Sequence, residues 1–182
     1  MNTVSSTAPI LVVDLQTGML DGIAEPALRD AEALVARVCD ILSWAREQGR
    51  PIAFIRHDGP AGDPLAPGQP GWPVSPALGQ REEEPTFGKT IGDAFSNPDL
   101  ADWLRRLDAG EIVLVGAQTN FCIAATLSGA LAAGLKVTIV SDGHSTVDLP
   151  DKSAEQIILR YNAQFAEAGA RLVTTAQLLA GS

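Results

Sequence analysis

The chain has 182 residues, 46% hydrophobic and 19% charged, a balance that suits one folded domain and excludes a disordered chain. Its formal charge of −9, with no run of lysine or arginine, argues against nucleic acid or an anionic membrane surface as a partner. No apolar stretch approaches the roughly 18 residues of a membrane span, and the start from Met1 to Ala8 has no secretory pattern. A loose tail over 1–8, a single domain over 9–182 and a cytoplasmic location are expected. Cys39 and Cys122 would stay reduced there.

Pro9 to Val13 is a short β-branched run ending at Asp14, and its lack of alternation reads as a strand buried on both faces. From Pro26 to Gln48, Leu28, Ala31, Leu34, Val35, Val38, Ile41, Leu42 and Ala45 recur at helical spacing, with Pro26 suited to the first turn and Gly49 to the stop. Pro51 to Ile55 is a second strand running into Arg56-His57-Asp58. Gly59 to Pro85 then has no periodicity and many prolines and glycines, as expected of a functional lid or wall or of a disordered segment. Asn97-Pro98-Asp99 opens a short helix through Leu107. Glu111 to Val115 is a buried strand leading into Gly116-Ala117-Gln118-Thr119-Asn120-Phe121-Cys122, and a helix rich in small residues follows to about Ala133. Lys136 to Val140 is a strand ending at Ser141-Asp142, Asp151 to Ala168 a helix, Arg171 to Val173 a short strand, and Thr175 to Leu179 a last short helix.

This alternation predicts a three-layer α/β/α sandwich, Rossmann-like, with a mainly parallel sheet of roughly six strands. No GxGxxG follows the first strand, so a dinucleotide site has no support. In such sheets ligands bind beyond the carboxyl ends of the strands. Those ends carry Asp14, Arg56-His57-Asp58, the turn before Cys122, and Asp142 with His144.

Cys122 falls in the first turn of a helix that Thr119 or Asn120 can cap. The helix N-terminus and a nearby cation would both favour its thiolate, against an ordinary thiol pKa of about 8.5. A buried, inert cysteine is the competing reading. Cys39, mid-helix beside Val38 and Ile41, reads as packing. Asp14 is a structural carboxylate or a general base raised by apolar surroundings. Lys89, set between Gly88 and Thr90, is a surface group or a buried cation that steadies a thiolate and an oxyanion. His144 is a rival base in a cysteine–histidine pair, or a loop histidine bonded locally. His57 and Asp58 lack the further ligands of a metal site, and no cofactor is expected. Glu82-Glu83-Glu84 reads as a solvated run.

Together these residues resemble the isochorismatase-like superfamily of cysteine hydrolases, which includes nicotinamidases and N-carbamoylsarcosine amidases. The resemblance runs from about Ala8 to Leu179. It rests on Val12-Val13-Asp14-Leu15-Gln16, on Phe87-Gly88-Lys89 with Asp93-Ala94-Phe95 and Asp99-Leu100-Ala101-Asp102-Trp103-Leu104, and most strongly on Gly116 to Cys122. It implies an Asp14–Lys89–Cys122 triad, a cis peptide between Ala117 and Gln118, and an oxyanion hole from the Gln118 and Cys122 amides. It further implies a small amide-like substrate cleaved through a thioester, and a homodimer or homotetramer. Gln16, Trp72, Phe95 and Phe121 are expected around the substrate. Two departures qualify it. No second histidine follows His57, which puts a metal and nicotinamidase activity in doubt, and isochorismatases proper cleave a vinyl ether without a cysteine nucleophile. An ether hydrolase that does not need Cys122, and a non-catalytic binding protein on the same fold, stay open as alternatives.

Overall fold

The computed structural model describes residues 4–5, 7–23 and 26–181. Six strands form one sheet: β1 (Ile10–Val13), β2 (Ile52–His57), β3 (Thr86–Lys89), β4 (Glu111–Ala117), β5 (Lys136–Ser145) and β6 (Arg171–Val173). Their spatial order is β3-β2-β1-β4-β5-β6, and every pairing is parallel. The helices are α1 (Thr17–Leu20), α2 (Ala31–Glu47), α3 (Pro98–Arg106), α4 (Ala124–Ala132), α5 (Ala154–Glu167) and α6 (Thr175–Ala180).

Alternate residues of a strand face opposite ways, and β1 shows how two cores arise from that. Ile10 and Val12 pack with Leu34, Val38, Ile41 and Leu42 of α2 and Leu178 of α6. Leu11 and Val13 pack with Leu100 and Leu104 of α3, Leu127 of α4 and Phe165 of α5. Helices therefore cover both faces, the three-layer arrangement that the strand–helix alternation predicts.

Several boundaries differ from expectation. Strand β3 was hidden in the sequence because Thr86-Phe87-Gly88-Lys89 is a short, half-exposed edge strand with no apolar run. Helix α2 begins at Ala31, not Pro26, because the amides of Leu28 and Arg29 are spent on Met19 and Thr146 carbonyls. Strand β5 runs past Val140 to Ser145, with a register shift opposite Leu114 and Gly116. Helix α5 begins at Ala154 behind a capping box of Ser153 and Gln156. Of the expected loose tail, residues 1–3 and 6 lie outside the described residues. Val4 packs on the core, Ala8 is buried, and the Ser5 amide donates to Glu111. The expected solvated run is broken at Glu84, which is buried and paired with Arg46 at 2.7 Å.

The register at Gly116 decides where the turn after β4 begins. Gly116 has φ 128°, and a Cβ there would collide with the Val13 backbone of the neighbouring strand. Only glycine allows that approach. Gly116→Ala is expected to cost about 3 kcal/mol or more in urea denaturation. Gly110→Ala, where a Cβ meets nothing within 4 Å, should stay within about 0.5 kcal/mol of the parent.

Candidate active site

The sheet's carboxyl edge collects the candidate functional side chains. Asp14 follows β1 directly, with φ 49°, and its amide donates to Ile55 at 2.9 Å. A non-glycine residue in this left-handed region costs about 1–3 kcal/mol, and Asp14 shares the conformation with Asp30 and Asp108. Lys89 ends β3, two strands from β1 in the sheet. At about 4.8 Å per strand that is a gap of about 10 Å between backbones, which a long side chain must cross. Cys122 follows β4, after a cis peptide between Ala117 and Gln118 and within a π-helical turn, Thr119–Ile123, that precedes α4.

The three side chains meet. Lys89 Nζ donates to Asp14 Oδ2 at 2.8 Å and to Cys122 Sγ at 3.3 Å. The lysine side chain is 0% exposed and that of Asp14 2%. A buried ion pair gains from its Coulomb attraction only against a large desolvation cost, and losing one partner costs about 3–5 kcal/mol. The other carboxylate oxygen, Asp14 Oδ1, is buried without a hydrogen-bond partner.

Burial raises the Asp14 carboxyl above its usual range, with Lys89 pulling the other way. Burial alone would lower the Lys89 ammonium, but Asp14 and Cys122 more than offset it and hold it above the usual lysine value. Burial first, and then the Asp14 charge, push the Cys122 thiol up to about 12, with Lys89 opposing. The helix N-terminus and Lys89, which favour the thiolate, are outweighed here. The thiol is too buried, and too close to a carboxylate, for the helix terminus and one lysine to ionise it.

A cavity of about 190 Å³ opens on the thiol. Its polar lining is Asp14, His57, Gln118 and Cys122, and its apolar lining is Met19, Leu65 and Phe121. Phe121, expected near the substrate, lines the cavity and is 57% exposed. Leu65 makes the segment between Gly59 and Pro85 one wall of it.

Other expected residues are placed elsewhere. Gln16 is 0% exposed and outside the lining. Its amide donates to the His57 and Trp72 carbonyls and accepts from the His57 amide, so it ties strand to loop. The Trp72 ring stacks under Arg56, 3.6 Å from the guanidinium carbon, and donates to Asp58 at 2.7 Å, outside the cavity. Phe95 lines a separate cavity with Ala101, Leu104 and Leu135. His144 is not poised as a base. Thr119 Oγ1 lies 2.9 Å from Nδ1 and Asn162 Oδ1 3.0 Å from Nε2, and burial holds the ring down at about 4. Thr119 is thus bonded to His144, and Asn120 accepts from Thr146, so neither caps the turn as expected. Asp142 accepts from the Thr175 amide and hydroxyl and anchors α6. His57 is the cavity residue whose place the sequence left undecided; the signal was its position at a strand's carboxyl end.

The isochorismatase domain matches residues 8–177 of this chain. The chain belongs to that family. Proteins similar to it include two streptothricin hydrolases of Streptomyces noursei, each 33% identical over 141 residues, or 78% of this chain. The match spans only 55% and 50% of those proteins, so this chain covers about half of their length. A nicotinamidase of Escherichia coli is 25% identical over 92% of this chain and 94% of its own. Among solved structures, an isochorismatase from Pseudomonas putida KT2440 is 29% identical with a TM-score of 0.90, covering 98% of this chain and 93% of that one. Among the described residues no three potential metal ligands cluster, and Asp58 Oδ1 beside His57 already accepts from Arg56 and Trp72.

His144 makes stability depend on pH. Its folded pKa, about 4, lies below the unfolded value near 6.5. The unfolded chain therefore binds the proton first as pH falls, and stability is lost between about 6.5 and 4. The full contribution is about 3 kcal/mol. His144→Gln should flatten the denaturation free energy across that window relative to the parent, as read from urea curves at each pH.

Proposed function

We propose that this protein is a cysteine hydrolase that cleaves a C–N bond at an amide-like carbonyl of a small substrate. The observation that carries this reading is Lys89 Nζ bridging Asp14 and Cys122 in a buried site beside a cavity. The names of the relatives, streptothricin hydrolase and nicotinamidase, support it.

The chemistry follows from the protonation states. The thiol rests neutral, so it must lose its proton as it attacks. Asp14 Oδ1, unpaired and raised toward neutrality, takes that proton. Cys122 Sγ adds to the carbonyl carbon. The oxygen gains charge against the Gln118 and Cys122 backbone N–H groups, while Lys89 steadies the sulfur and the carboxylate. Asp14 passes the proton to the nitrogen, the C–N bond breaks, and a thioester remains. Water, losing a proton to Asp14, then releases the acid, and the sulfur recovers its proton.

The lining favours a neutral substrate. None of the residues around the cavity is lysine or arginine, so a polycarboxylate such as isochorismate would meet no free cation there, which weighs against ether hydrolysis of that kind. A cytoplasmic homodimer or homotetramer is part of the same proposal.

Primary amides, ureas and lactams, assayed for ammonia or acid release, are the direct test. Cys122→Ala is expected to lose at least about a thousandfold in kcat, and intact-mass spectra of the parent should show an acyl adduct on Cys122. Turnover retained by Cys122→Ala would sink the proposal. Lys89→Met should both destabilise the chain by about 3–5 kcal/mol and abolish turnover.

A further inference from the structure

The cavity over Cys122 has three apolar side chains, and they are not equally free to yield. Met19, on α1, is unbranched and turns about three bonds. Phe121 is mostly exposed, so its ring has solvent to swing into. Leu65 is held. Its amide donates to Asp63 Oδ1 at 2.7 Å, and its carbonyl accepts from the Gly59 amide at 3.1 Å. A branched side chain is thus carried on a backbone fixed on both sides.

The stretch after Leu65 is itself seated on the residues that follow Asp14. The Thr17 amide donates to the Pro73 carbonyl at 2.9 Å, the Gly18 amide to the Gly71 carbonyl at 3.0 Å, and the Ser75 amide to the Leu15 carbonyl at 2.9 Å. Gln16 Nε2 adds a bond to the Trp72 carbonyl at 2.7 Å. A Cβ on Gly18 would lie 3.0 Å from both Gly71 Cα and Leu65 Cδ2, and a Cβ on Gly71 would lie 2.9 Å from the Pro64 carbonyl oxygen. Two facing glycines therefore let the segment come down until the Leu65 side chain lies against Gly18 of α1. The segment is a fixed wall, and Leu65 is the part of it that faces the cavity with Cys122.

We propose that Leu65 is the specificity-determining residue of this site, and that its fixed side chain restricts Cys122 to carbonyl compounds whose group facing the wall is compact and aliphatic. The proposal rests on the amide-hydrolysis reading only for the kind of carbonyl attacked; the limit itself is steric. An aromatic group in that place has to displace Leu65, and with it the bonds to Asp63 and Gly59. One methylene in a close-fitting apolar pocket is worth about 10–200-fold in kcat/KM. A single leucine at the wall is therefore enough to separate an aliphatic from an aromatic substrate.

The test reads the thiol and turnover separately. Cys122 is modified with methyl and with benzyl methanethiolsulfonate in the parent, Leu65→Ala and Leu65→Phe. The rates are followed on the Cys122 peptide by mass spectrometry, so that Cys39 does not contribute. On the same proteins kcat/KM is measured for acetamide and benzamide. Leu65→Ala is expected to raise the benzyl-to-methyl rate ratio at least about tenfold, and Leu65→Phe to lower it. The benzamide-to-acetamide ratio of kcat/KM should move the same way. A reagent ratio unchanged in Leu65→Ala, including equal acceleration of both reagents by a loosened fold, would overturn the assignment. So would a Leu65→Phe protein that reacts with the benzyl reagent as readily as the parent. A shifted reagent ratio with neither amide cleaved by any of the three proteins would support the wall and count against amide hydrolysis instead.

Discussion

A lysine ammonium with no exposed surface sits between a carboxylate and a thiol, and the rest of the site is arranged around that charge. An unpaired ammonium at this depth would be untenable. Lys89 therefore requires Asp14, and the pair together with the Cys122 thiol requires three separate strands to finish at the same edge. The all-parallel order β3-β2-β1-β4 meets that demand, because every strand then delivers its carboxyl end to one side. Asp14 leaves β1 in a left-handed conformation, Lys89 reaches from the outer strand, and the turn after β4 brings Cys122 to them.

The same burial that makes the ion pair necessary keeps the thiol neutral. A cysteine activated by a depressed pKa reacts with many electrophiles. A thiol held up at about 12 beside a carboxylate raised by the same burial is different: under the proposed mechanism it becomes a nucleophile only when its proton can pass to Asp14, so that geometry replaces resting ionisation and reactivity is tied to a carbonyl correctly seated in the cavity.

Much of this was legible in the sequence. Apolar runs ending in Asp14 and in the turn before Cys122 marked buried parallel strands, and the carboxyl-edge rule then placed both residues in one region. Lys89 was legible from its Gly88 and Thr90 neighbours as a surface group or a buried cation, and the resemblance to a family pattern favoured the second; its strand was not legible, since a four-residue edge strand half exposed to solvent leaves little periodicity. Gln16, Trp72 and Phe95 were legible as positions near the site, but side-chain direction depends on tertiary partners: a clamp on His57, an Arg56–Asp58 pair and a separate apolar cavity. His144 stayed open between a base and a locally bonded histidine because the sequence does not show that β5 continues through a register shift and carries it into the core between Thr119 and Asn162. The balance that sets the thiol's ionisation was only half legible, for a related reason. A helix terminus is visible in sequence, whereas depth of burial is not.

The central claim is that Asp14 and burial hold the Cys122 thiol neutral until attack. Ultraviolet titration of thiolate absorbance, taken as a difference against Cys122→Ser, tests it most directly. No Cys122 thiolate should appear below about pH 9 in the parent, and Asp14→Asn, which removes the opposing carboxylate, should move the titration to lower pH. A thiolate step near neutral pH in the parent, or an Asp14→Asn titration unchanged or moved upward, would contradict it.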